Sequence, residues 1–149
     1  MYERIVVGTD GSSQSHDAVR AAGRLAGLCG LKELHVVTAS RSYTAYDMAR
    51  IEASLPEEFH GLVSPIIDAQ DRFDEAKSIL GPSISVVPYQ TDGHPAESIL
   101  TVADDIDADL IVVGARGLGA VDRFVRGSVS TKVAHHSTCD VLIVEHPEQ

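Results

Sequence analysis

The sequence predicts an α/β fold: an open five-stranded parallel sheet with helices on both faces. Three observations carry this. Five short runs, residues 5–7, 34–37, 84–87, 110–113 and 141–144, are rich in Val and Ile and run without regular alternation. Parallel strands covered on both faces should read that way. Between the runs lie segments whose apolar residues recur three and four apart, the spacing of a helix with one buried face. Strand and helix alternate along the chain, which implies βαβ units with right-handed crossovers. At 149 residues the chain fits one domain, residues 1–149, burying roughly 68–70% of its unfolded surface.

Each element follows in order. The first run ends in Gly8-Thr9-Asp10-Gly11-Ser12. Ala18, Ala22, Leu25 and Cys29 then form a stripe, and Gly30 is a C-terminal stop. After the second run comes the least regular segment, 41–65. Thr44 and Asp47 resemble a capping box, and Met48, Ile51 and Leu55 are helically spaced before Pro56, Gly61 and Pro65 interrupt. Two helical pieces joined irregularly are expected, serving either as a lid or partner surface or as a solvated connection. Ile66, Ala69, Phe73, Ala76 and Leu80 make a second stripe, ended by Gly81-Pro82. Pro95 suits a first helical position, with Ala96, Ile99, Ala103 and Ile106 as the third stripe. Val129, Val133 and His136 open the fourth.

Composition narrows the function classes. Hydrophobic content of 44% with 23% charged residues is ordinary for a soluble globular chain. A formal charge of −10 argues against nucleic acid as a partner, because phosphate backbones recruit Lys and Arg. The basic residues Arg116, Arg123, Arg126 and Lys132 nevertheless cluster, opposed only by Asp122, and such a patch suits a polyphosphate. No run is long and apolar enough to span a bilayer, and Met1-Tyr2-Glu3-Arg4 does not open a leader. A cytoplasmic protein with no membrane partner is expected. Cys29 and Cys139 are too few for a disulfide scaffold.

The chemistry concentrates after the fourth run, in Gly114-Ala115-Arg116-Gly117 and, nine residues on, Gly127-Ser128-Val129-Ser130. A strand that ends in glycines and then starts a helix can hold a phosphate. Glycine lets backbone approach a ligand, and the first helical turn offers unpaired N–H groups at the positive end of its dipole. Ser128 and Ser130 add hydroxyls. No Walker A loop is present, and Gly117-Leu118-Gly119 is followed by Ala120-Val121-Asp122 rather than by a dinucleotide fingerprint.

The spacing Gly-x2-Gly-x9-Gly-Ser resembles the ATP-binding signature of the universal stress protein family. So do the first run with Gly8 to Ser12, the second strand Leu34-His35-Val36-Val37, the helix entry Gly93-His94-Pro95-Ala96-Glu97-Ser98-Ile99-Leu100, and the last strand Asp140-Val141-Leu142-Ile143-Val144. The resemblance runs the length of the chain. It implies strand order 3-2-1-4-5 in a Rossmann-like fold of the adenine-nucleotide alpha-hydrolase type, and a homodimer joined along the last strand. Strands 1 and 4 would then flank the reversal of winding, where open sheets hold ligands. It further implies that Val36 meets the adenine edge beside Gly8 and Thr9, and that Val113 and Gly114 lie along the ribose. Arg116 belongs with the basic patch, while Gly117, Gly127, Ser128, Val129 and Ser130 hold phosphates. Asp10 would accept ribose hydroxyls or coordinate a phosphate-bound Mg²⁺, or else act only as an N-cap or turn aspartate.

Other candidates are weaker. His135 and His136 are adjacent on a helix, so their side chains diverge by about 100° and make a poor metal pair. His94 reads as a loop residue near the crevice. Asp104, Asp105, Asp107 and Asp109 lack the EF-hand glycine and glutamate, and read as a solvated helix end. Tyr43 and Tyr46 either cover a base or are surface aromatics. The leading function is a cytoplasmic ATP-binding regulatory module of the stress response. The alternatives are a slow ATPase or nucleotidyl or phosphoryl transferase, a module for AMP or cAMP, and a dimer whose glycine loop is structural.

Overall fold

The computed structural model describes residues 1–40, 45–59, 69–115 and 127–145. Along the chain run β1 (Ile5–Gly8), α1 (Ser13–Leu28), β2 (Glu33–Ser40), α2 (Ala45–Ser54), a 3₁₀ turn (Glu57–Phe59), α3 (Ala69–Leu80), β3 (Ser85–Asp92), α4 (Pro95–Asp105), β4 (Leu110–Gly114), α5 (Ser128–His136) and β5 (Asp140–Val144). The strands form one sheet in the order β3-β2-β1-β4-β5, every neighbouring pair parallel. Val7 sits between Val36 on one side and Val112 on the other, which fixes β1 at the centre. The fold class and the strand order expected from the sequence are both present.

Successive strand residues serve opposite faces, so two cores form. Ile5, Val7, Leu34, Val36, Leu110 and Val112 pack with Ala18, Val19 and Ala22 of α1 and Phe73 and Ala76 of α3. Val6, Val37, Ile111 and Val113 pack with Ile99, Val102 and Ala103 of α4 and Val133 of α5. β1 and β4 therefore read as unbroken apolar runs, and the 34–37 run of β2 is broken only by His35, because each face has its own cover.

The two edges depart from that expectation. β3 extends to eight residues and alternates between exposed and half-buried positions, and β5 is only half-buried. An edge strand has a neighbour on one side only, so polar residues are tolerated there. Pro88, which donates no N–H, stands in β3 opposite Val36, as edge strands permit.

Helix ends follow local chemistry. Ser12 caps α1, its hydroxyl accepting the Ser15 N–H at 3.2 Å. Gly30, at φ 71°, closes the helix: its N–H reaches the Gly27 carbonyl while Leu31 N–H reaches that of Ala26, a Schellman arrangement. Cys29 is the C-cap and only half-buried. Pro95 opens α4 as expected, and His94 is the N-cap, its Nδ1 accepting the Ala96 N–H at 3.3 Å. The acidic run after α4 also finds its place. Asp107 takes the left-handed position that ends the helix, at φ 52°. The Asp109 carboxylate accepts the N–H groups of Glu3 and Arg4 at 2.8 and 3.0 Å. Those bonds tie the entry of β4 to that of β1.

Candidate functional site

Strands β1 and β4 lie side by side, and the chain leaves them toward helices on opposite faces. At their carboxyl ends the β1–α1 loop, the last residues of β4 and the start of α5 converge. Thr9 N–H continues the sheet to the Val37 carbonyl at 2.9 Å. Ala115 N–H continues it on the other side to the Val144 carbonyl at 2.9 Å. The Ala115 carbonyl in turn accepts from Gly127 N–H at 2.6 Å. That bond seats the α5 N-terminus directly on the end of β4.

Glycine at two of these positions answers packing demands. A Cβ on Gly8 would meet Ile99 Cδ1 at 2.5 Å, and one on Gly114 would meet the Gln14 carbonyl oxygen at 2.9 Å. Their absence lets α4 and the first turn of α1 close onto the sheet. Gly127 differs. Its backbone, at φ −59° and ψ 146°, suits any residue, so conformation does not require glycine there.

Asp10 is half-buried, and its Oδ1 accepts the Ser12 N–H at 2.9 Å. This is an Asx turn. The cap of α1 is Ser12, so the N-cap alternative for Asp10 does not hold. Thr9 is buried, its hydroxyl 3.1 Å from that of Ser15. Val36 and Val113 are buried. Val36 stands opposite Val7, deeper in the sheet than Thr38, which meets the loop itself.

At α5, Ser128 is exposed, Val129 half-buried and Ser130 buried. Gly127 provides no side-chain cap, in contrast to Ser12 on α1 and His94 on α4. The first turn of α5 therefore presents N–H groups that its own helix leaves without acceptors. The Ser130 hydroxyl lies 3.0 Å from the carbonyl oxygens of both Ala115 and Gly127 and donates inward. It stitches the two ends of the glycine segment together. Arg116 and Gly117, with Tyr43, Arg123 and Arg126, lie outside the described residues. Lys132 pairs with Glu97 at 3.2 Å. Among the described residues no group of three or more His, Cys, Asp or Glu side chains is placed to hold a metal ion.

Arg72 and His35 are among the buried polar residues to which the sequence analysis assigns no role. Arg72, on α3, reaches the end of β2 and donates to Thr38 Oγ1 at 2.7 Å. The signal was present: Arg72 follows Ala69 by three and precedes Ala76 by four, a charge inside an apolar stripe. His35, on β2, sits 2.9 Å from the Tyr89 hydroxyl through Nδ1. Burial pushes its pKa below the ordinary value, with Glu33 opposing that shift and Arg4 reinforcing it.

With this geometry in view, three likenesses to known proteins bear on the molecule. The chain is 29% identical over 157 residues to a provisionally named universal stress protein of Staphylococcus aureus (strain USA300), covering 99% of this chain and 86% of that one. It superposes on a universal stress protein crystallised in complex with cAMP with a TM-score of 0.63 and 33% identity, over 96% of each chain. A universal stress protein from Archaeoglobus fulgidus in complex with dAMP matches with a TM-score of 0.64 and 25% identity, over 96% of this chain and 98% of that one. The model of the universal stress protein family matches residues 1–145, and on that match the chain belongs to the universal stress protein family.

Proposed function

We propose that the protein is a cytoplasmic module that binds an adenine nucleotide at the carboxyl ends of β1 and β4, and that it reports nucleotide state in the stress response. The observation that carries this is the start of α5. A helix N-terminus whose Gly127 provides no side-chain cap is seated on the end of β4, next to the central strand β1 where the sheet reverses its winding. Anions are favoured there by the open amides and the dipole together. Gly127, Ser128 and Val129 would meet phosphate, with Arg116 and Gly117 completing the loop and Ser130 holding it closed. Asp10 would take the ribose, Val113 and Gly114 would line it, and Gly8, Thr9 and Val36 would border the base.

ATP with Mg²⁺ is the ligand the loop spacing supports. The residues fit such a cation. Asp10 contributes one carboxylate, and a Mg²⁺ held largely by phosphate oxygens and water needs no more from the protein. A monophosphate is the second reading, supported by the cAMP and dAMP bound to the two similar proteins. The same helix start would receive a single phosphate. Pairing of two copies along β5 belongs to the same reading.

Calorimetric titration of the purified protein with ATP, AMP and cAMP, with and without Mg²⁺, tests it. Binding of at least one nucleotide at micromolar concentration is expected, weakened by Asp10→Ala and unaffected by Asp104→Ala. Equal effects of the two substitutions would remove Asp10 from the site, and no binding at all would overturn the function.

A further inference from the structure

A buried cation stands behind the β1 loop. Arg72 is 8% exposed. Its Nη1 donates to Thr38 Oγ1 at 2.7 Å and to the Ala39 carbonyl at 3.2 Å, while its Nε is buried with no hydrogen-bond partner among the described residues. A Cβ placed on Gly11 would lie 3.7 Å from that Nε. The guanidinium has no ion-pair partner among the described residues. Such a group is costly to bury, and an apolar side chain of similar length would fill the same gap between α3 and β2.

What the arginine provides is a directed chain of hydrogen bonds. Thr38 accepts from Arg72, so its own proton goes to the Thr9 carbonyl at 2.9 Å. Thr9 N–H returns to the Val37 carbonyl at 2.9 Å. The Ser15 hydroxyl donates to the Ser12 carbonyl at 2.9 Å, which leaves Thr9 Oγ1 to donate to Ser15 at 3.1 Å. Thr9 Oγ1 is then free to accept the Gly11 N–H at 3.3 Å. Both peptide groups of Thr9 and its side chain are thereby held, and the next residue is Asp10.

We propose that Arg72 is a positioning residue of the nucleotide site: through Thr38 it sets the direction in which the β1 loop carries Asp10 toward the ligand. This rests on the nucleotide reading for its ligand, though the mechanical part can be measured without one. Arg72 touches no ligand in this scheme. It holds the loop from behind.

The test uses Arg72→Met, which keeps the volume and removes the donors, Arg72→Lys, which keeps a charge and one donor, and Thr38→Val, which breaks the chain at its middle link. Amide hydrogen exchange without nucleotide is followed at Gly11 and Ser12, and affinities are measured for ATP and 2′,3′-dideoxy-ATP. In Arg72→Met and Thr38→Val, exchange at those amides accelerates while β4 stays protected. ATP affinity falls roughly 2- to 30-fold, the range for residues acting through a network, and the preference for ATP over its dideoxy analogue shrinks. Arg72→Lys recovers part of each effect. A merely stabilising arginine would leave the sugar preference and the local exchange unchanged, and that result overturns the proposal even if the fold is weakened. Should Arg72→Met fail to fold, Thr38→Val decides alone. If the unaltered protein binds neither nucleotide, the function reading falls, and the ligand named here falls with it. Unaltered loop exchange with intact ATP binding overturns only the role of Arg72.

Discussion

A single missing Cβ sets how closely the first helix approaches the fourth strand. At Gly114 the obstacle would be main chain of Gln14, 2.9 Å away, whereas at Gly8 it would be the tip of the Ile99 side chain at 2.5 Å. Main chain cannot step aside, but an isoleucine end can turn. Gly114→Ala is therefore expected to destabilise the protein by about 1–3 kcal/mol, the usual cost of overpacking, and Gly8→Ala by less. Denaturant unfolding of both variants checks the order. His35 sets a pH dependence at the same scale. Its folded pKa is depressed, first by burial, so the unfolded chain takes up the proton sooner as pH falls. The contribution of a neutral His35 is present above its ordinary value of about 6.5 and is lost as pH drops toward the folded value. His35→Gln should flatten that part of the stability profile, and urea midpoints between pH 7.5 and 5 compared with the unaltered protein measure it. These contacts were not legible in the sequence, because a residue's partner lies on another strand or helix.

Among the elements, α5 separates most clearly from the rest. Three helix starts have described caps, and only α5 lacks a side chain bonded across its first turn. Since Gly127 has an ordinary extended backbone, its φ and ψ admit a valine. Gly127→Val is expected to abolish nucleotide binding while leaving the circular dichroism spectrum and thermal midpoint near those of the unaltered protein. ATP affinity undiminished in that variant would count against phosphate at this helix start. The helical stripes and their stops were largely readable: Gly30, Pro95 and the turn after Leu80 all fall where residue chemistry places them. The extent of β2 and β3 was not. Both continue past their apolar runs, to Ser40 and Asp92, because eight successive pairings between the two strands hold polar residues in extended form. Pattern reading sees burial, and hydrogen bonding to a neighbour does not require it.

At the level of the whole molecule, the sheet has two unlike edges. β3 carries Pro88 and alternating polar residues, features that discourage pairing. β5 is short and apolar, and Leu142 on it is 36% exposed. The proposed homodimer uses this second edge, so Leu142→Arg should shift the protein from dimer to monomer. Sedimentation velocity reads the outcome, and a monomer in the unaltered protein would dismiss the pairing. Taken alone, the sequence determined the α/β class, the helix stops and the glycine segment, since apolar spacing and turn chemistry act between residues close in the chain. Strand order entered through likeness rather than periodicity. Only the tertiary structure decided that Ser130 points inward, that Ser12 rather than Asp10 caps α1, and that Arg72 stands behind the loop. Those outcomes depend on which carbonyls and hydroxyls come within about 3 Å once distant segments pack, and local spacing carries no information about that distance.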